Sequence, residues 1–208
     1  VLILITITII NLSTAQTNQV QDNYTKKEVY IPMRDGTKLF TIIYTPKDIS
    51  KGKKYPFIMN RTCYSIAPYG ENNFRKKLNP NKFIEKEKYI FVFQDVRGRY
   101  MSEGIFTNMT PQVDHKTKKD VDESTDTYDT VDWLVKNVQN NNGKVGQYGT
   151  SYPGFYTAVG TLANHPALVA SSPQAPISDF WFDDFHHNGA FLMGYFKTFS
   201  VFGVQKTK

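Results

Sequence analysis

Residues 27–33 (KEVYIPM) alternate apolar and polar positions with the period of a half-buried strand. Residues 38–44 (KLFTIIY) read as the returning strand after the turn Arg34-Asp35-Gly36-Thr37, where Gly accepts positive φ easily. The pair predicts an antiparallel hairpin. Residues 55–60 (YPFIMN) and 88–94 (KYIFVFQ) are instead short apolar runs, the pattern of strands buried on both faces of a parallel sheet. Between them, residues 80–87 predict a short helix with Phe83 and Ile84 turned inward. From residue 124 onward Tyr128, Val131, Leu134, Val135 and Val138 recur at helical spacing, with Ser124 or Thr125 as N-cap and residues 140–143 as terminator. Residues 144–148 predict a strand, 155–163 a helix and 167–171 one more buried strand. Strands alternating with helices imply a doubly wound, mostly parallel α/β sheet, and there is no internal repeat. The alternation stops at residue 178, where an aromatic-rich stretch with the acidic pair Asp183-Asp184 predicts the start of an inserted helical cap over residues 178–208.

The main folded unit is expected over residues 27–177, after a linker at 16–26. Val1 to Ile10 are apolar and mostly β-branched, and Asn11-Leu12-Ser13-Thr14-Ala15 follows. This reads as the apolar core and small-residue cleavage site of a partial secretory signal peptide, residues 1–15, cut after Ala15. A buried strand or a membrane anchor is the alternative, but the run is too short to span a bilayer, so no stable anchor is expected. Without Met at position 1 the sequence reads as clipped at its start, and the expected location is secreted or periplasmic. Cys63, the one cysteine, can form no internal disulfide.

A net charge of +6 raises the question of an anionic partner. The lysines are spread along the chain, however, and the dense run at 116–119 is followed at once by Asp120, Asp122 and Glu123. That is a solvated surface, and no nucleic-acid partner is expected. Aromatic residues make up 14% of the chain, which suits a large core or an aromatic-lined pocket. No phosphate-loop, dinucleotide or zinc-ligand spacing occurs, and Asp114-His115 alone is no metal site, so no cofactor is expected.

The chemistry concentrates at Gly149-Thr150-Ser151-Tyr152-Pro153-Gly154. A serine hydroxyl is a poor nucleophile and needs an exposed position, a base and donors for the oxyanion. A sharp strand-to-helix turn supplies the position and points amide hydrogens of a helix N-terminus at the developing charge. Pro153 displaces the second glycine to position 154, and Pro is tolerated in a first helical turn. On spacing alone an ordinary Gly-Ser-Pro-Gly loop is the alternative.

Four segments in one order, Met33-Arg34-Asp35-Gly36, Arg61-Thr62-Cys63-Tyr64, Gln94-Asp95-Val96-Arg97-Gly98-Arg99 with Ser102-Glu103-Gly104, and the segment at 149–154, resemble the X-prolyl dipeptidyl-peptidase and cocaine esterase group of α/β-hydrolases. The resemblance runs over residues 27–196 and implies the α/β-hydrolase fold. It implies Ser151 as acylated nucleophile, the backbone N–H of Tyr152 as one oxyanion donor and the hydroxyl of Tyr64 as the other, with a core or rim role as the alternative for Tyr64. The group shows Pro where Cys63 stands. The segment around Asp95 is implied to be structural, with Arg97 and Arg99 in ion pairs and Gly98 making the turn.

The triad order of this fold is Ser, then Asp or Glu, then His. Of the later histidines, His165 comes too early in the topology and His186 and His187 fall in the expected cap. The triad Asp and His are therefore expected to be absent from this chain, which reads as C-terminally truncated and inactive by itself. Residues 182–191 (FDDFHHNGAF) are similar to α-amino acid ester hydrolases, implying a carboxylate that binds the substrate's α-ammonium, with Asp184 preferred over Asp183; acids at a cap-helix N-terminus are the alternative. The expected function is a serine hydrolase of small-molecule or peptide-like esters or amides. Alternatives are an X-Pro dipeptidyl-peptidase or cephalosporin-type acylase on the same scaffold, or a non-catalytic binding module that kept the corner. The full-length form could be a homo-oligomer.

Overall fold

The computed structural model describes residues 19–48, 52–114, 117, 119–195, 197 and 201. The signal peptide reading, residues 1–15, lies outside the described residues. A short helix α1 (Gln19–Asn23) leads directly into β1 (Tyr24–Pro32), so the described part of the segment expected as linker is helix and strand. The reason is packing: Val20 and Tyr24 are buried against Phe91 and its neighbours.

β1 and β2 (Lys38–Pro46) form the expected hairpin, with Tyr30 opposite Phe40. β3 (Tyr55–Thr62), the short helix α2 (Lys82–Lys86) and β4 (Ile90–Asp95) follow, then α3 (Glu123–Asn137), β5 (Asn141–Thr150), α4 (Tyr152–Thr161) and β6 (Leu168–Gln174). The sheet order is β1-β2-β4-β3-β5-β6. β1, β2 and β4 run antiparallel in turn, while β4, β3, β5 and β6 are parallel.

β3 is the strand at which the chain order reverses, since β4 lies on one side of it and β5 on the other. In open α/β sheets ligands bind outside the carboxyl ends of strands at such a point. Every residue of β4 is buried, as its unbroken apolar run requires. Its Ile90 and Val92 face a core that includes Val131 and Leu134 of α3, while Phe91 and Phe93 face a second core with Tyr24, Tyr44, Ile66 and Leu78. The fold is thus the expected α/β-hydrolase type, with a mostly parallel sheet covered on both faces.

Three local expectations are corrected. Phe83 is 72% exposed while only Ile84 packs inward, because adjacent helical residues point about 100° apart. The cap of α3 is Asp122, whose carboxylate accepts from the amides of Ser124 and Thr125 at 2.9 Å each, while the Thr125 hydroxyl receives the Asp122 amide. This is a reciprocal capping box with a negative charge at the positive helix end. β6 is mostly exposed rather than buried, since it has β5 on one side and no further strand on the other among the described residues. After β6 the chain makes a π-helical turn (Phe180–Phe185), a two-stranded ladder of β7 (His186–His187) and β8 (Ala190–Phe191), and a 3-10 turn (Met193–Tyr195). No helix among the described residues is long and apolar enough to cross a membrane.

Candidate active site

β5 ends at Thr150 and α4 begins at Tyr152, leaving Ser151 alone at the corner. Its backbone adopts φ 64° and ψ −124°, a conformation that costs a non-glycine residue about 1–3 kcal/mol and persists only when the surroundings impose it. Here they do. The Ser151 amide donates to Gln174 O at 3.0 Å, and its carbonyl accepts from the Phe155 amide at 3.1 Å.

Both glycines are required by contact. A Cβ on Gly149 would lie 2.1 Å from Pro153 O, and one on Gly154 would lie 2.5 Å from Gln174 O and 3.2 Å from Gly149 O. The residue that must be small is the one pressed between the ends of β5 and β6. That residue is 154, which explains why the corner works with Pro at 153.

Ser151 is exposed on the wall of a cavity of about 570 Å³ that Tyr64, Tyr152, Asp183, Asp184 and Tyr195 also line. The structure therefore brings together all five residues singled out from the sequence. Tyr64 arrives because β3 and β5 are adjacent and parallel, so the segments following them emerge side by side. Its side chain lines the cavity beside Ser151. Burial, and secondarily Cys63, push the phenol up to about 12, so it is a neutral hydrogen-bond donor at neutral pH.

Tyr152 places its amide in the first turn of α4, where N–H groups project at the positive end of the helix. Its ring is buried, with the hydroxyl accepting from the Met109 amide at 2.8 Å and donating to Asn108 Oδ1. That ring stacks on Tyr156 at 5.1 Å and meets Tyr64 edge-on at 6.1 Å. The side chain is an anchor for the corner.

The two aspartates differ. Asp183 Oδ2 accepts from the Ser178 amide and hydroxyl and the Asp179 amide at 2.8–3.0 Å, and these bonds hold its carboxyl below the usual range. Asp184 receives the Tyr195 hydroxyl at 3.4 Å, and its charge acts on the phenol of Tyr64. Asp183 ties the loop; Asp184 faces the serine's neighbourhood.

Among the described residues no histidine lines this cavity. His165 lies past the far end of α4, about 15 Å along the helix from Ser151. It is buried edge-on to Tyr128, with Nε2 3.6 Å from Asp132. His186 stacks on Trp181 at 3.7 Å, and His187 Nε2 contacts Asp183 O.

Behind the corner stands a charge network only part of which the sequence suggested. Arg97 bridges Asp35 and Asp126 at 2.7 Å each, while buried Arg61 pairs with Glu123 at 3.1 Å and donates to Gln94 and Thr127. Burial pushes the Glu123 carboxyl upward against Arg61's pull. Arg99 donates to the carbonyls of Cys63 and Val201, and Gly98 packs so closely that a Cβ would lie 2.1 Å from Phe106 N. Cys63 is buried in the cluster with Tyr152 and Tyr156. Tyr195 and Met109 were not foreseen as cavity residues, and no spacing signal marks either.

Comparison with known proteins bears on the family and the fold. A family model described as X-Pro dipeptidyl-peptidase (S15 family) matches residues 35–208. Cocaine esterase of Rhodococcus sp. (strain MB1 Bresler) is 28% identical over 165 residues, 78% of this chain and 25% of that protein. A solved α-amino acid ester hydrolase is 41% identical with a TM-score of 0.75, over 88% of this chain and 30% of the other. An aminopeptidase from the marine sediment archaeon Thaumarchaeota archaeon is 38% identical with a TM-score of 0.71, over 89% of this chain and 31% of the other. The chain thus spans a third or less of these relatives. With the family match covering most of its length and the fold shared, this chain belongs to the S15 family of esterase- and peptidase-type α/β-hydrolases.

Proposed function

We propose that this chain carries the nucleophile half of a serine hydrolase acting through an acyl-enzyme on Ser151, with a preference for acyl groups bearing a free α-amine. The observation that carries the reading is the Ser151 hydroxyl on a strained corner, with the Tyr64 phenol and the Asp184 carboxylate lining the same cavity.

Ser151 Oγ attacks the substrate carbonyl carbon and passes its proton to a general base. The carbonyl oxygen becomes an oxyanion that the Tyr152 amide and the Tyr64 hydroxyl receive, which favours the transition state over the ground state. The leaving alcohol or amine departs with the proton, and water repeats the sequence on the acyl-enzyme to release the acid. An α-ammonium entering the cavity gives up water, and a fixed carboxylate at Asp184 replaces it. The base and its orienting acid are proposed to lie outside this chain, in keeping with the order Ser, acid, His and with the absence of histidine from the cavity among the described residues.

Two measurements on the full-length protein test this. A fluorophosphonate probe should label wild type and not Ser151→Ala; an unlabelled wild type would leave a binding module as the better reading. Hydrolysis of an α-amino ester should greatly exceed that of its N-acetylated analogue, and equal rates would remove the ammonium site. The family match also favours an X-Pro dipeptidyl-peptidase. Cleavage of an X-Pro-anilide faster than of the amino ester would select it.

A further inference from the structure

Tyr64 stands on a strained loop that is held partly from within, the Tyr64 amide donating to Thr62 Oγ1 and the Ala67 amide to Ser65 Oγ. Ser65 itself has φ 91°, in the left-handed region that favours glycine, so the loop needs an outside anchor as well. Asp95, the last residue of β4, supplies one. Its Oδ1 accepts from the Ile66 amide at 3.0 Å, and its Oδ2 accepts from the Tyr69 hydroxyl at 2.9 Å. The Tyr69 hydroxyl also hydrogen-bonds with Ser65 Oγ at 2.9 Å. Both ends of the strained residue's neighbourhood are thereby tied to one carboxylate, and the Met101 amide approaches it at 3.4 Å.

Asp95 is wholly buried. A carboxylate taken out of water is costly unless hydrogen bonds replace its hydration, and here the replacement comes mainly from the loop that follows β3. β4 is the other neighbour of β3 in the sheet, so Asp95 reaches the loop from the side opposite β5 and the serine corner. Nothing places Asp95 on the cavity wall.

We propose that Asp95 is a positioning residue for the oxyanion phenol, setting where the Tyr64 hydroxyl stands relative to Ser151 through the Ile66 amide and the Tyr69–Ser65 hydroxyl pair. This rests on Tyr64 being an oxyanion donor. Asp95 touches neither substrate nor nucleophile; it acts through Tyr64. A displacement of about 1 Å in such a donor costs on the order of a hundredfold in rate.

The test is a double-substitution cycle in the full-length protein with an α-amino ester substrate. Asp95→Asn and Tyr69→Phe are each expected to lower kcat by about 10- to 100-fold with KM changed by less than about threefold. In a Tyr64→Phe background the same two substitutions should lower kcat by no more than about twofold further, because the group they position is gone. A full multiplicative loss in that background would overturn the proposal, since Asp95 would then be acting on stability or another group. Tyr69→Phe removes one partly buried hydroxyl and keeps the experiment decisive if Asp95→Asn fails to fold. If Tyr64→Phe by itself leaves kcat unchanged, the oxyanion assignment has failed, and the positioning role is overturned with it; an effect of Tyr64→Phe with multiplicative doubles rejects the positioning role alone.

Discussion

The amide of Ser151 donates a 3.0 Å hydrogen bond to the carbonyl oxygen of Gln174, tying the tip of the corner after β5 to the end of β6. The bond makes the strained serine a property of two parallel strands rather than of one turn. Gly154 is pressed against the same carbonyl, where a Cβ would lie 2.5 Å away.

Gly154→Ala is therefore expected to destabilise the fold by about 1–3 kcal/mol through overpacking against backbone, which cannot rotate aside. In the full-length protein, fluorophosphonate labelling of Ser151 should slow as well. Unchanged urea midpoint and labelling rate would show that the corner tolerates a methyl group there.

Tyr64→Phe should cut kcat by about 100- to 1000-fold, the usual consequence of removing one oxyanion donor, with KM nearly constant. Phe keeps the edge-on contact with Tyr152, so stability should hold. Steady-state kinetics decide it: a change confined to KM would make Tyr64 a binding residue only.

Asp184→Asn and Asp183→Asn should separate. The first is expected to weaken turnover of a free α-amino ester by about tenfold or more while sparing the N-acetyl analogue, because it removes charge from the cavity. The second keeps an amide oxygen for the Ser178 and Asp179 donors but loses the charge that strengthens those loop bonds, so it should loosen the loop and affect both substrates alike. Equal selectivity in the two variants would contradict the division of roles.

Burial raises the Asp95 carboxyl from its ordinary 3.8 to about 6. Folding thus favours its protonated form: the contribution is fully present below about pH 4 and disappears as pH rises through about 6, reaching up to roughly 3 kcal/mol. Relative to Asp95→Asn, wild type should lose unfolding free energy between pH 4 and 7. Denaturant titrations at several pH values measure this, and a difference that stays flat or rises with pH would reverse the sign.

Much of the architecture was legible because it depends on near neighbours in the chain. The run at 88–94 carries the pattern of a strand buried on both faces, and all six residues of β4 are buried. The serine corner was legible from Gly149, Ser151 and Gly154 because close backbone approach there excludes a side chain. Errors arose where neighbours compete. Ser124 and Thr125 both looked like caps, yet the carboxylate of Asp122 precedes them and receives both their amides. Phe83 and Ile84 were equally apolar, and only packing against the second core selects Ile84.

The sequence by itself determined the six strands of the main sheet, the helices α2 to α4, the corner and which residue types the chemistry would use, since each follows from period, glycine placement and caps along the local chain. Only the tertiary structure decided that β3 lies between β4 and β5, and with it that Tyr64 meets Ser151 from one side while Asp95 holds its loop from the other. It also decided that, of two aspartates on the same cavity wall, Asp183 is taken up by hydrogen bonds from its own loop while Asp184 receives the Tyr195 hydroxyl. Such relations depend on which distant strands pair and which side chains find acceptors, and those are settled by burial and hydrogen bonding across the whole sheet rather than along the chain.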